Sequence, residues 1–439
     1  MDQIHRSCLS VIIQRATMKT KRVVITGVGA KTNLGASLPD ALSLWRAGRY
    51  SFEAFPSSTF IDQKFLAGFC RQEDVSKLPD RKIQKVTTRK DRLGLLALLG
   101  AVDSAKSSGF WNVVPERMGI FVGAASTQMS DLAPYVPLLR ECFDPLRDEV
   151  DLEKFGSMLL GKVNPMVMMQ SLMNNILCYA SIHLDARGPN RNFVDFQSAG
   201  MQAVMAGADS ILDGFCDVAV VGGAGSTPDA AQLSEGVRLK LLTATGEGEK
   251  ARVRPYSKDA TGTIISEGAA FLVLEERESA IHRGANILAE VYGYACCHDG
   301  SLGPSSEGLE KAIRRSCFDA GISTSEISLM MGHGSGIFDF DRMETSAYQN
   351  IPSGFAVHTP KFAFGETGEA SGVLATVCGL DVLESKCIPL CQEEDDGSWD
   401  REILGNLHHT QDFKSGMICI HTRSFNGINA AMVIGPGDL

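Results

Sequence analysis

The stretch Phe193-Val-Asp-Phe-Gln-Ser-Ala-Gly-Met-Gln-Ala-Val-Met-Ala-Gly207 has the pattern of a strand that turns into a helix. Its first residues favour a strand, whereas Met201, Met205 and Ala208 recur at helical spacing. The elbow between them places Gln197 at the N-terminus of a buried helix, where free N–H groups and the helix dipole stabilise negative charge. A cysteine there would be an activated nucleophile. Because the amide of Gln197 cannot attack a thioester, we ask whether the rest of the chain surrounds a missing nucleophile.

Composition narrows the class of protein. The chain has 439 residues, 44% of them hydrophobic, and a formal net charge of −10, as in a soluble α/β protein. The negative charge disfavours nucleic acid or an anionic membrane as a partner. No apolar run approaches the roughly 18 to 20 residues that a membrane-spanning helix needs. The 12 cysteines lack the paired spacing of metal sites. We therefore expect free thiols, a cytoplasmic location and no bound metal or cofactor.

The first twenty residues resemble a targeting peptide only superficially. The apolar run Leu9–Ile13 is too short, and no cleavage site of small residues follows it. We predict that residues 1–20 are a disordered extension, with Met18 as a plausible start.

A strand ending in a glycine-rich turn follows, Val23-Val-Ile-Thr-Gly-Val-Gly29. A dinucleotide site is the tempting interpretation. It is weak, because Gly35 is out of step with Gly27 and Gly29, and no acidic residue closes a second strand at the required distance. We instead predict a strand that only packs against the following helix, which Ser37 would cap.

The same alternation of strands and helices occurs twice along the chain. Apolar strands and helices recur across residues 21–284 and again across residues 285–439, so we predict two similar halves that meet near residue 285. Continuous apolar strands imply mostly parallel sheets that are buried on both faces. Residues 127–175 break the pattern with prolines and methionines, and we predict that they form a cap beside the site.

Three polar stretches in the second half are candidate partners for the elbow at Gln197. His333 stands at a strand end in a glycine-rich loop, and could donate its Nε2–H to a thioester carbonyl. Lys361 and Glu366 lie in a second turn from strand to helix. A flexible polar loop, residues 421–429, precedes the last strand.

The motifs in combination resemble those of β-ketoacyl synthases, which belong to the thiolase-like superfamily. The resemblance covers residues 20–437 and rests on Val23–Gly29, Arg254–Gly262 with Glu267-Gly-Ala, His333-Gly-Ser-Gly with Asp341 and Glu344, Lys361 with Gly365, and Phe425-x-Gly-x-Asn429. It implies a thiolase-like fold, in which duplicated βα halves form a five-layered α-β-α-β-α sandwich.

The departures from that family indicate lost chemistry. Active members use a cysteine nucleophile and two histidines, and the resemblance places Gln197 at the cysteine, His333 at the first histidine and Glu366 at the second. Lys361 matches the family lysine. A carboxylate at the second position would oppose the developing enolate, so we expect Glu366 to pair with Lys361 instead. The family's Phe-Gly-Phe-Gly-Gly gating loop is also degraded, to Arg423-Ser-Phe-Asn-Gly427.

Two roles in the family have glutamine at the nucleophile position. One is the decarboxylating loading ketosynthase, which keeps both histidines. The other is the chain length factor of type II polyketide systems, an inactive subunit that helps shape the tunnel for the growing chain. The loss of the second histidine and of the gating loop favours the chain length factor. The expected partners are an active Cys-containing ketosynthase, as a heterodimer, and an acyl carrier protein that presents substrates on phosphopantetheine. Residues 124–135 and the neighbourhood of Gln197 would lie at the interface.

Other interpretations of these residues compete with this one. The chain could be a malonyl-carrier-protein decarboxylase that uses Gln197 and His333, or a homodimeric paralogue without catalytic activity. Ser198 could replace the nucleophile, but an alcohol needs an aligned base, and the sequence indicates none. The methionine-rich run 166–173 suits adaptable packing, or an interface or tunnel wall.

Overall fold

The computed structural model describes residues 21–55, 65–71, 78, 81–125, 135–162, 164–225, 228–243, 252–300, 305–351, 354–389 and 411–437. The predicted disordered extension, residues 1–20, lies outside the described residues.

Six of the described strands are two residues long and pair in three separate ladders, Glu53–Ala54 with Leu66–Ala67, Phe143–Asp144 with Glu149–Val150, and Cys387–Ile388 with Gln411–Asp412. The other ten strands form one sheet that repeats its own topology. In chain order they are β1 (Val23–Thr32), β2 (Met118–Gly123), β3 (Asn190–Phe193), β4 (Val218–Gly225), β5 (Gly268–Glu276), β6 (Ala289–His298), β7 (Ile327–Met331), β8 (Ala356–His358), β9 (Met417–Arg423) and β10 (Ile428–Gly435). Their spatial order is β8-β7-β9-β10-β6-β1-β5-β4-β2-β3. Read outward from the centre, the first half runs 1-5-4-2-3 and the second runs 6-10-9-7-8. The two halves are therefore duplicates, as predicted.

The directions of the strands correct one prediction. Of the nine neighbouring pairs in the described sheet, five are antiparallel (β1 with β6, β1 with β5, β6 with β10, β9 with β10, β4 with β5) and four are parallel. The prediction of mostly parallel sheets was wrong. A continuous apolar strand indicates that both faces of the sheet are buried there. It does not indicate the direction of the neighbouring strand. The tight turn between β9 and β10, with Gly427 at φ +88°, forces one antiparallel pair in the second half.

Helices lie on both faces of each half. The described helices are α1 (Leu38–Arg46), α2 (Arg81–Val86), α3 (Arg89–Lys106), α4 (Val136–Cys142), α5 (Leu152–Lys162), α6 (Val167–Gln170), α7 (Asn175–Leu184), α8 (Ala199–Leu212), α9 (Ala230–Arg238), α10 (Arg277–Arg283), α11 (Glu307–Ala320), α12 (Phe338–Gln349), α13 (Lys361–Phe364) and α14 (Ser371–Ser385). Short 3-10 turns occupy Pro115–Arg117, Thr324–Glu326 and Gly368–Ala370.

The packing of these helices produces five layers. Helix α3 covers β1, β4 and β5 of the first half, and α11 covers β6, β9 and β10 of the second. Helices α8 and α14 contact each other and strands of both halves, so they form the middle layer. Helix α14 is accordingly buried all round from Ser371 to Leu383. The chain therefore has the thiolase-like five-layered sandwich, and both strand-to-helix turns with site residues lead into its centre.

The glycines of β1 explain why this strand is not a nucleotide-binding turn. Gly27 and Gly29 lie inside the strand, and α3 crosses directly over them. A Cβ on Gly29 would lie 2.2 Å from the carbonyl oxygen of Ala97, and one on Gly27 would lie 2.4 Å from that of Ala101. Both glycines are needed for close helix packing. The predicted packing role is confirmed, and Ser37 caps α1 by accepting from the Asp40 N–H at 3.3 Å.

The described part of the predicted cap carries short helices with an unusually apolar exterior. Helices α4, α5 and α6 lie there, together with a two-residue ladder between Phe143–Asp144 and Glu149–Val150. No side chain of α5 is buried, although it presents Leu160, which is 89% exposed. Met168 on α6 is 74% exposed. The methionine-rich run therefore faces outward in the single chain.

Within the described parts of the chain, none of the helices has both the length and the apolar character that crossing a membrane requires.

Candidate active site of the ketosynthase type

The predicted elbow is present. Strand β3 ends at Phe193 and α8 begins at Ala199, so Gln197 occupies the turn just before the helix. Gln197 is only 3% exposed, and its side-chain Oε1 has no hydrogen-bond partner. Its backbone carbonyl accepts from the Thr422 hydroxyl at 3.1 Å. The elbow thus presents a buried amide at the positive end of a 14-residue helix.

The other three predicted site residues converge on this elbow. His333 follows β7, Lys361 opens α13 after β8, and Glu366 lies in the turn before α14. Each of the three is 5% exposed. Lys361 Nζ lies 2.9 Å from His333 Nε2, and Thr422 Oγ1, which bonds to Gln197, lies 3.4 Å from His333 Nδ1. The second half therefore builds its polar cluster against the elbow of the first half.

Glu366 is held as the partner of a lysine. Its Oε2 accepts from Lys361 Nζ at 2.5 Å. Its Oε1 accepts from the Gly368 N–H at 2.9 Å and from the Ser371 hydroxyl at 2.7 Å. The predicted ion pair between Lys361 and Glu366 is present. An ionised carboxylate has no proton to donate, so Glu366 offers negative charge and no hydrogen-bond donor at this position.

His333 is a neutral ring whose Nε2 is already occupied. Burial and the neighbouring Lys361 ammonium lower its pKa well below the usual value. The Lys361 ammonium lies 2.9 Å from Nε2 and 3.2 Å from Nδ1, and the Arg423 N–H donates to Nδ1 at 3.5 Å. An ammonium group only donates hydrogen bonds, so the ring is an acceptor towards Lys361. Donation from His333 to a thioester would therefore compete with its contact to Lys361.

Two carboxylates of the family signature hold the loop that carries His333. Glu344 accepts from the backbone N–H groups of His333 at 2.9 Å and Gly334 at 3.0 Å. Asp341 accepts from the N–H groups of Ser335 at 2.7 Å and Gly336 at 3.0 Å. The loop is thus fixed by buried charge-assisted hydrogen bonds, and Asp341 and Glu344 position His333 without entering the site.

Ser198 has a carboxylate beside it that the sequence analysis did not identify as a base. Its hydroxyl donates to Asp195, three residues earlier in the elbow. The hydroxyl also lies 2.8 Å from the Ser424 Oγ and accepts from Gln202 Nε2 at 3.1 Å. Because Ser198 is completely buried and its oxygen is engaged in these bonds, it acts as a structural hydroxyl.

Sequence reasoning also missed the polar residues that join the elbow to the turn between β9 and β10. Asp195 bonds to Ser424 and Asn426, which lie more than 200 residues away. The one available signal was the replacement of small residues in the gating loop by Ser424 and Asn426, both of which can form hydrogen bonds.

The described residues contain no group of three or more His, Cys, Asp or Glu side chains arranged to hold a metal ion.

Glu369 is a second buried carboxylate near the elbow, and it predicts a pH effect. Burial raises its pKa to about 7, although Lys90 partly opposes the shift. Its Oε1 accepts from the Ala125 N–H at 3.1 Å. The unfolded pKa is about 4.3, so the folded state holds this proton more tightly. Its contribution to stability is therefore complete below about pH 4 and is lost as pH rises through about 7.

We accordingly expect Glu369→Gln to stabilise the protein at high pH. The gain in the free energy of unfolding should be about 3 kcal/mol larger at pH 8 than at pH 4, because the amide never ionises. Urea denaturation at both pH values measures it. The exposed Glu53→Gln is the control and should change by less than about 0.5 kcal/mol at either pH. An equal effect of Glu369→Gln at pH 4 and pH 8 would show that the carboxyl does not titrate in this range.

Comparison with known families accounts for the doubled fold. Residues 20–280 match the β-ketoacyl synthase N-terminal domain, and residues 288–393 match the β-ketoacyl synthase C-terminal domain. The chain is similar to nodulation protein E of Rhizobium leguminosarum bv. trifolii, with 27% identity over 408 residues, 89% of this chain and 94% of that protein. It is equally similar to 3-oxoacyl-[acyl-carrier-protein] synthase 2 of Coxiella burnetii, with 27% identity over 437 residues, 95% of this chain and 99% of that protein.

Solved structures share the fold over nearly the whole chain. A β-ketoacyl synthase from Burkholderia phymatum superposes with a TM-score of 0.79 at 22% identity, covering 95% of this chain and 100% of that one. The structure titled "The ishigamide ketosynthase/chain length factor" superposes with a TM-score of 0.78 at 23% identity, covering 95% and 99%. With two family domains matched in order along the chain and the site built between the corresponding halves, this protein belongs to the β-ketoacyl synthase family.

Proposed function

We propose that this chain is a chain length factor of a type II polyketide synthase. It would be a subunit without condensing activity that pairs with a Cys-containing ketosynthase and shapes the tunnel for the growing chain. One observation carries the proposal: the elbow presents the buried amide of Gln197, and the cluster that faces it holds Glu366 as the ion partner of Lys361.

The chemistry of condensation explains why these side chains imply a silent site. The acyl chain must be held as a thioester, and the amide of Gln197 cannot form one. The enolate formed by decarboxylation then needs hydrogen-bond donors, and losing one such donor typically costs about 10² to 10³ in rate. Here Glu366 supplies negative charge, and Lys361 is engaged by Glu366 and His333.

The outer surface of the first half supports a companion subunit. Strand β3 lies at the edge of the described sheet, and the chain continues from it into Val194, 55% exposed, and Phe196, 54% exposed. A free strand edge beside exposed apolar side chains favours association. The exposed leucines and methionines of the cap extend the same apolar character. The predicted interface segment, residues 124–135, falls mostly outside the described residues.

The companion would receive substrates from an acyl carrier protein, on its phosphopantetheine arm. One solved structure of similar fold contains a type II polyketide synthase acyl carrier protein in complex with its ketosynthase. We propose the same kind of delivery to the heterodimer, with no metal or other cofactor bound. The free cysteines of the described residues suit a cytoplasmic location.

Co-expression with the companion ketosynthase tests the pairing. We expect the two chains to co-purify and to elute together as a heterodimer in size-exclusion chromatography. Phe196→Asp should abolish co-elution, because it places a charge in an apolar interface. The matched control is Phe318→Asp, since Phe318 is 76% exposed on the outer helix α11. If the chain elutes as a homodimer even when the companion is present, the result would favour the alternative that it is a homodimeric paralogue.

The decarboxylase alternative makes a separate demand on His333. It requires the imidazole to donate a hydrogen bond to the substrate, whereas the Lys361 ammonium already contacts both ring nitrogens of His333, at 2.9 Å and 3.2 Å. We therefore expect the isolated chain to release no carbon dioxide from malonyl acyl carrier protein. Sustained release of labelled carbon dioxide would overturn the chain length factor proposal in favour of that enzyme.

A further inference from the structure

Asp195 ties the elbow to the turn between β9 and β10. One carboxylate oxygen accepts from Asn426 Nδ2 at 2.8 Å, and the other accepts from the Ser424 hydroxyl at 3.1 Å. On the elbow side the same carboxylate accepts from the Ser198 hydroxyl and from Gln202 Nε2 at 2.8 Å. A single half-buried charge therefore joins two segments that are more than 200 residues apart in sequence. Hydrogen bonds to an ionised acceptor are roughly twice as strong as neutral ones.

Further hydrogen bonds join the elbow to the same turn. The Ser198 N–H donates to Ser424 Oγ at 2.9 Å, and the two hydroxyl oxygens lie 2.8 Å apart. Two residues before Ser424, at the end of strand β9, the Thr422 hydroxyl donates to the carbonyl of Gln197 at 3.1 Å. Strand β9 and the turn after it therefore bond to the elbow at Asp195, at Ser198 and at the carbonyl of Gln197.

Aromatic contacts and a buried ion pair also hold the turn. The ring of Phe425 packs edge-on against Phe340 at 5.5 Å and Phe196 at 6.4 Å. Arg423 is buried and bonds to Asp299 at 3.1 Å. Any movement of the turn away from the elbow would break its hydrogen bonds to Asp195 and Ser198.

We propose that Asp195, through Ser424 and Asn426, is a latch that holds the turn between β9 and β10 closed over Gln197. The latch excludes thioester-sized groups from this pocket, so that carrier-bound chains have access only to the companion's site. This last clause rests on the proposed function, whereas the latch itself is a property of the chain. The missing nucleophile and the closed entrance would then be two independent reasons why this half is silent.

A cysteine reporter in the full-length chain tests the latch. Gln197→Cys introduces a thiol at the covered position, and its alkylation by iodoacetamide is followed by mass spectrometry of the peptide that contains it. We expect this thiol to react at least about tenfold more slowly in the folded protein than in the chain unfolded in guanidinium. Adding Asp195→Ala should accelerate the reaction in the folded protein at least about tenfold, because the turn loses its charged acceptor.

Two further variants keep the result interpretable. Asn426→Ala removes a donor from the turn and should also accelerate labelling, which covers the case in which Asp195→Ala fails to fold. Asp339→Ala removes an exposed carboxylate from the neighbouring helix α12 and should leave the labelling rate unchanged. The latch is overturned if the folded reporter already reacts at the unfolded rate, or if neither Asp195→Ala nor Asn426→Ala accelerates it. Because the assay uses neither companion nor carrier protein, either result leaves the subunit proposal to be judged by co-elution.

Discussion

Changing the companion's nucleophilic cysteine to alanine is expected to lower the condensing rate of the reconstituted complex at least about 10³-fold, whereas Gln197→Ala should change it less than about threefold. In the proposed heterodimer, the two substitutions would stand at equivalent elbows of the two subunits. Only the companion's side chain would form a thioester. Gln197 Oε1 accepts no hydrogen bond, so Gln197→Ala leaves no donor without its acceptor at that atom. The measurement is the initial rate of elongation of a carrier-bound acyl chain.

The same assay separates condensation from control of chain length. Product lengths, read by mass spectrometry of the released chains, are expected to respond to side-chain volume near Gln197 even where the rate does not. A complex that still elongates after the companion's cysteine has been removed would contradict the proposal, since the remaining catalyst would have to be this chain. The isolated chain should show no elongation in the same assay.

Lys361→Met is expected to destabilise the protein by about 3 to 5 kcal/mol, because it leaves the carboxylate of Glu366 buried without its counter-charge. Both side chains are less than one-tenth exposed. The matched control is Lys311→Met, which breaks an exposed pair with Glu307 on α11 and should cost less than about 0.5 kcal/mol. Denaturant unfolding at pH 7 measures both variants.

A double variant then tests the cause of this loss. Lys361→Met combined with Glu366→Gln removes both charges, while the amide retains an oxygen for the Gly368 N–H. The combination should recover more than half of the stability lost in Lys361→Met. If the double variant is less stable than the single one, the cost comes from packing of the lysine stem and the ion pair is not the cause.

The amino-acid sequence alone determined the class of fold and the glutamine at the elbow. Periodicity showed two similar halves, and the order of the motifs matched one family over nearly the whole chain. The elbow at Gln197 could be predicted because its strand, turn and helix are local features with short-range signals. The ion pair between Lys361 and Glu366 could also be predicted, since the two residues are five positions apart in one turn.

Only the tertiary structure decided how these parts act on one another. Strand direction, the occupation of His333 Nε2 by Lys361 and the contacts of Asp195 with Ser424 and Asn426 depend on residues brought together from distant segments. Local sequence does not encode such pairings, because a buried polar side chain bonds to whichever partner the fold places within about 3 Å. Sequence therefore identified Gln197 at the elbow, and the fold determined which distant side chains surround it.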